Sequence, residues 1–267
     1  MENKKRVIIV VSILLIYFLL MMIFFGFDSL KKKVYHLDVL ITPDSYLKYE
    51  RGNWKDVKEN ETELLGKSYK IYADHQFLSD GILQYTDQKW YAFDKNNKPL
   101  LSLPENFFAY RGNIKVDIIN YHSVDMSEVE IEEAVSILKK YDVTFQPEYT
   151  KTLKIELDFN NDGTLETIYI ISNALGMEEQ SIYFSIAYIK NNNNVEILID
   201  DVSNNMYQIP SLNLREVIDI NQDKKYELIF EKIYFDQKGT CHEIFEYQND
   251  IYKSVKACEL IKRGDEE

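Results

Sequence analysis

Residues Lys154–Ile171 read KIELDFNNDGTLETIYII, and 61 positions later Arg215–Lys232 read REVIDINQDKKYELIFEK. At that offset Leu157 falls over Ile218, Phe159 over Ile220 and Ile168 over Ile229. Apolar and polar residues alternate on both sides of an acidic centre, the period of a half-buried strand, so each copy reads as strand, acidic turn, strand. A further hairpin follows each copy. In the first it is Ser181–Ile189, a turn at Asn191–Asn194 and then VEILI; in the second it is Cys241–Glu259. Two units of about four strands each predict blade-like antiparallel repeats, which bury their apolar faces only by stacking on neighbours.

Outward from the repeats, composition supports the same class. Aromatics make up 13% of the chain, with 20 Tyr and 14 Phe, and large β-forming side chains favour sheets over helix bundles. Residues 37–125 read as a β-rich region of short strands such as Ser68–Tyr72, Gly81–Tyr85 and Lys89–Phe93. Their separators are Arg51-Gly52-Asn53, Ser79-Asp80-Gly81 and Asp94-Lys95-Asn96-Asn97. Between this region and the repeats, residues 126–149 hold one amphipathic helix, Ser127–Tyr141. Ser127 and Glu130 form a capping box there, and Ile131, Ala134, Val135 and Leu138 share one face. The repeat region spans 150–259 and a polar tail spans 260–267.

At the N-terminus, Val7–Phe27 is 21 residues without a charge, long enough as a helix to cross a bilayer core of about 30 Å. No Ala-x-Ala-like cleavage site follows around Gly26-Phe27-Asp28, so residues 1–36 are read as an uncleaved membrane anchor and stalk. Lys4, Lys5 and Arg6 on one flank are balanced by Lys31, Lys32 and Lys33 on the other, so the positive-inside count is a tie. The short leading tail favours a cytoplasmic N-terminus and an extracytoplasmic body. Formal net charge is −13, and since residues 1–27 contribute three basic side chains and one acidic, the remainder carries −15. A body so negative repels phosphate backbones, which excludes nucleic acid as a partner, and gathers cations.

The first acidic turn, Asp158-Phe159-Asn160-Asn161-Asp162-Gly163-Thr164-Leu165-Glu166, is D-x-N-x-D-G-x-x-E. Calcium takes six to eight oxygen ligands. Asp158, Asn160 and Asp162 offer side-chain oxygens, Thr164 a backbone carbonyl and Glu166 a closing carboxylate. The acid at the ninth position separates the loop from an EF-hand, which has Glu at the twelfth. The second turn keeps Asp219, Asn221, Asp223 and Glu227 but has Lys224 where the glycine stood, a residue that resists a left-handed backbone and brings positive charge. For both turns the competing reading is an Asx-stabilised hairpin without metal.

The strand-flanked motif of Asp158–Glu166, with its partner at Asp219–Glu227, resembles the FG-GAP or VCBS-type repeat of β-propeller blades in integrin α-subunits and bacterial surface proteins. The resemblance covers residues 150–259. It implies calcium ligation by the alternate acids and a role in adhesion, ligand binding or display. The Phe-Gly and Gly-Ala-Pro elements of the family are missing, and two copies do not close a propeller alone.

A hairpin turning at Asn249-Asp250 sets Cys241 opposite Cys258, close enough for a cross-strand disulfide in an oxidising compartment, with two buried thiols as the alternative. Cys241 and His242 point to opposite faces of a strand and form no catalytic dyad. His36, His75, His122 and His242 show no metal-ligand spacing, and no nucleophile, phosphate-loop or zinc-protease motif is present. The expectation is a non-enzymatic, membrane-anchored β-repeat module with an extracytoplasmic body, which binds a protein or glycan or organises a surface. The alternative is a carbohydrate-binding or carbohydrate-active module in which Tyr46, Tyr49, Trp54, Trp90 and Tyr91 stack on sugar rings; cross-strand aromatic packing is their simpler reading.

Overall fold

The computed structural model describes residues 36–42, 45–50, 52–56, 65–86, 89–101, 107–113, 115–174, 182–192, 194–220, 222–235 and 239–258. The apolar segment Val7–Phe27 and the tail 260–267 lie outside them. No helix among the described residues is long and apolar enough to cross a membrane.

The two repeats fold as consecutive four-stranded antiparallel meanders. The first runs β9 (Lys151–Leu157), β10 (Glu166–Ser172), β11 (Tyr183–Asn191) and β12 (Asn194–Ser203). The second runs β13 (Ser211–Asp219), β14 (Glu227–Tyr234), β15 (Gly239–Gln248) and β16 (Ile251–Lys256). Registers agree at the equivalent positions, since Leu157 pairs with Glu166 and Ile218 with Glu227. The N-terminal region supplies a third antiparallel sheet in the order β3-β2-β1-β7-β4-β5-β6. Its strands are β1 (His36–Ile41), β2 (Ser45–Glu50), β3 (Asn53–Asp56), β4 (Ser68–Ala73), β5 (Gln76–Thr86), β6 (Lys89–Phe93) and β7 (Phe108–Gly112). A two-residue strand, β8 (Asp117–Ile118), leaves that region and pairs with β13 at the edge of the second repeat.

The three sheets stack face to face, with the second repeat in the middle. Ile218, Ile220, Ile229 and Ile244 pack on Leu37, Val39, Leu47 and Phe108 of the N-terminal sheet. From the opposite face of the same sheet, Leu228, Phe230 and Phe245 pack on Ile155, Ile168, Ile170 and Ala187 of the first repeat. Leu228, Ile229 and Phe230 in β14 are each 0% exposed, and burying such side chains contributes roughly 1.5–3 kcal/mol apiece. The remaining outer face of the first repeat is covered by helix α1 (Glu128–Leu138), whose Ala134, Ile137 and Leu138 meet Tyr169, Ile171, Phe184 and Ile186. The capping box at Ser127 and Glu130 is formed, and the helix closes in a tighter turn at Lys139–Tyr141. Lys232 in β14 joins two of the layers through ion pairs to Asp201 of β12 at 2.9 Å and Glu243 of β15 at 2.8 Å. Tyr35–Glu267 cluster as one compact unit.

One expected turn is a strand. Ser79-Asp80-Gly81 lies inside β5, and the chain reverses instead at Asp74-His75, both with positive φ, of 47° and 61°. An extra residue at Leu78 bulges β5 between the pairs Tyr72–Phe77 and Ile71–Ser79. Gly81 is required by proximity rather than by turn geometry. A Cβ at that position would lie 2.3 Å from the Phe93 carbonyl oxygen and 2.7 Å from Ile71 Cδ1.

Four of the five aromatic residues considered for sugar stacking are core. Tyr49 and Trp54 pack between the N-terminal and middle sheets, Tyr46 and Trp90 lie buried in a cluster of the N-terminal sheet, and Tyr91 is half-buried. Cross-strand packing consumes the faces that a sugar would need.

Candidate metal centre

Both acidic turns bridge the first two strands of their repeats and fold by the same local rule. In the first, Asp158 accepts the N–H groups of Asp162 at 3.0 Å and Gly163 at 2.9 Å, Asn160 Oδ1 accepts Asp162 N–H at 2.9 Å, and Asp162 accepts Thr164 N–H at 2.8 Å. In the second, Asp219 accepts Gln222 N–H at 2.7 Å and Lys224 N–H at 3.1 Å, and Asp223 accepts Lys225 N–H at 2.8 Å. Short side-chain acceptors thus satisfy backbone donors that no ladder reaches.

The left-handed positions match as well: Asn161 and Gly163 have φ of 57° and 88°, Gln222 and Lys224 of 63° and 66°. Lys224 therefore adopts the backbone that its type was expected to resist. The hydrogen bond from its N–H to Asp219 helps hold it there.

The ninth-position glutamates turn inward. Glu166 Oε2 accepts Phe159 N–H and Glu227 Oε2 accepts Ile220 N–H, both at 2.8 Å. Glu166 Oε1 also accepts the side-chain amides of Asn160 at 2.9 Å and Asn191 at 3.2 Å. Burial raises the pKa of both carboxyls, that of Glu227 well above the ordinary carboxylate range, and it raises Asp219 too. The N–H of Thr164 has the opposite effect on exposed Asp162, which is lowered.

Asp158, Asp162 and Glu166 each place one carboxylate oxygen so that all three lie within 4.8 Å of one another. With Asn160 beside them the donor set is all oxygen, the chemistry of a hard cation such as calcium rather than of zinc or copper. Each oxygen that accepts one hydrogen bond retains a lone pair. The second turn differs: among the described residues Asp219, Asp223 and Glu227 are not gathered in this way, and Asn221 lies outside the described residues. The backbone bonds of the first aspartate and of the ninth-position glutamate are the same in both turns and do not account for this difference.

The turns are also tied to each other. Tyr226 N–H donates to the Phe159 carbonyl at 3.0 Å, and the Tyr252 hydroxyl lies 3.3 Å from Phe159 O and 3.2 Å from Tyr226 O. Neither Asn191, which reaches Glu166 from β11, nor Tyr252 was singled out from sequence. The matched turns alone do not signal partners that lie 25 and 93 residues away.

Cys241 and Cys258 are joined as a disulfide with Cα atoms 5.5 Å apart. The register that suggested the pair is not the one adopted. Strict pairing from the Asn249-Asp250 turn holds to Phe245–Ser254, then Ile244 pairs with Lys256, so Val255 is an extra residue and the bond forms past the end of β16. His242, which follows Cys241 in β15, is buried, and burial, then Arg215 and Lys256, push its pKa down to about 3. His75 pairs with Glu216 at 2.9 Å, His122 is exposed, and the side chain of His36 lies outside the described residues. No histidine is among the residues of the acidic cluster. No family model, curated protein or solved structure matches this chain.

Proposed function

We propose that the chain is a membrane-anchored binding module with an extracytoplasmic body, in which the first acidic turn takes calcium and thereby stiffens the junction between the two repeats. The observation that carries the calcium reading is the convergence of Asp158, Asp162 and Glu166 within 4.8 Å. The likeness of the turn to those of FG-GAP or VCBS-type blades agrees with it, as does the stacking of successive four-stranded meanders. Asp158, Asn160, Asp162 and Glu166 would hold the ion, and its charge would offset the mutual repulsion of the three carboxylates. The uncharged run Val7–Phe27 supports the anchor, and the Cys241–Cys258 bond supports an oxidising side of the membrane.

The test is thermal unfolding of the full chain in detergent during calcium titration. The melting temperature rises with calcium in the wild type, and the double variant Asp158→Ala/Asp162→Ala loses that rise. A wild type indifferent to calcium reduces the turn to a hydrogen-bonded hairpin. Protease protection on intact cells tests the sidedness separately.

A further inference from the structure

Beside the first acidic turn the first repeat and the middle sheet part to leave a cleft of about 490 Å³. Three chain reversals border it: the acidic turn itself, the β11–β12 turn and the β15–β16 turn. Its described lining holds three carboxylates, Glu166, Glu196 and Asp250, and no lysine, arginine or histidine. Tyr247 and Tyr252 form one wall, their ring centroids 5.2 Å apart in an edge-to-face pair. Val195 and Ile251 are apolar side chains left 46% and 44% exposed at its mouth.

We propose that this cleft binds a basic side chain, the ammonium or guanidinium head of a lysine or arginine presented by a partner protein. Three independent features lead to a cation on an aliphatic stem. The acids are uncompensated: among the described residues neither Glu196 nor Asp250 has a basic partner, and Glu196 spends Oε1 on the Tyr252 N–H at 2.7 Å. The aromatic wall is of a kind that attracts cations: Lys225 Nζ already occupies one face of the Tyr247 ring at 4.6 Å from its centroid, and Tyr252 lines the cleft beside it. The exposed Val195 and Ile251 match the methylene stem that lysine and arginine lay along apolar surface while the head seeks polar company. Burial holds the Glu196 carboxyl above its ordinary value, so an arriving cation relieves a cost already present in the free protein. A neutral sugar would use the amides and phenols but leave the acids uncompensated.

The inference rests on the reading of the chain as a binding module but not on calcium: Glu166 lines both sites, whereas Glu196 and Asp250, which carry the inference, lie outside the cation cluster. The full chain in detergent is titrated with N-acetyl-lysinamide, N-acetyl-argininamide, the neutral isostere N-acetyl-norleucinamide and methyl glucoside, followed by ligand-observed NMR, with and without calcium. The basic probes bind saturably and the isostere at least about fivefold more weakly, and Glu196→Gln or Asp250→Asn weakens the basic probes roughly fivefold to tenfold. Asp250 sits in the β15–β16 turn at φ 65°, a backbone that asparagine tolerates, so that variant keeps the fold. Equal binding of the isostere, binding unaffected by both substitutions, or binding of the glucoside alone overturns the proposal. Absence of all binding in a protein that retains its calcium-dependent melting shift overturns the cleft assignment and leaves the calcium reading standing.

Discussion

The carbonyl of Phe159 in the first acidic turn accepts the backbone N–H of Tyr226 in the second at 3.0 Å. Two turns of like sequence are thus not independent copies: the middle of one is fastened to the end of the other, across the boundary between two sheets. A cation that fixes the first turn would restrain the second through this bond without binding there.

The Tyr252 hydroxyl reinforces that seam from β16. Tyr252→Phe keeps the ring and removes the donor, and is expected to lower unfolding free energy in urea by about 0.5–1.5 kcal/mol. It should also reduce the calcium-induced rise in melting temperature. An unaltered rise would show that the seam does not transmit the effect of the ion.

Glu227 makes the buried acid of the second turn sensitive to pH. Its folded pKa lies well above 4.5 because burial disfavours the charge. Its proton-linked stabilisation is therefore complete below the unfolded value and is lost as pH rises through the folded one. Glu227→Gln removes the charge and keeps an oxygen for Ile220 N–H, so its stability relative to wild type is expected to be greater at pH 7.5 than at pH 4.5. Glu227→Ala strands that N–H in the core and costs about 1–3 kcal/mol at pH 4.5, and less at pH 7.5 because it too removes the buried charge.

Lys224 occupies a left-handed backbone position that Gly163 fills in the other turn. Lys224→Gly relieves this conformation and is expected to stabilise the protein by roughly 0.5–1 kcal/mol, the gain being limited by the greater freedom of glycine in the unfolded chain. Denaturant midpoints of the two proteins measure it.

Gly81 is enclosed by the Phe93 carbonyl and Ile71 within β5. Gly81→Ala forces strand β6 or Ile71 to shift and is expected to cost about 1–3 kcal/mol. Substitution at Gly52, which sits in a turn with nothing within 4 Å of an added Cβ, meets no such obstruction. Comparing the two separates contact from backbone strain.

These residues also mark how far the sequence could be read. The repeat was legible because Phe159 and Ile220, and Glu166 and Glu227, do the same work in each copy, so their spacing survives in the chain. The helix was legible because its cap is local, with Ser127 and Glu130 three residues apart. Gly81 was misread because a glycine required by a neighbouring backbone carries the same letter as one required by a turn. The insertion of β7 between β1 and β4, and the departure of β8 to another sheet, depend on contacts without a local pattern. The bulge at Val255 likewise shifts the pairing that the turn residues predicted. In the cation cluster the ligand types were readable. That only the first turn gathers its acids leaves no mark in the backbone bonds of the glutamates, which are equivalent in the two copies.

Because β14 has neighbouring sheets on both of its faces, water reaches its amides only when at least one whole layer lifts away. Deuterium should therefore enter this strand last, at the rate of global unfolding, whereas the outer strand β6 exchanges through smaller openings. The body would then yield to heat or force as one cooperative block instead of shedding its sheets one by one.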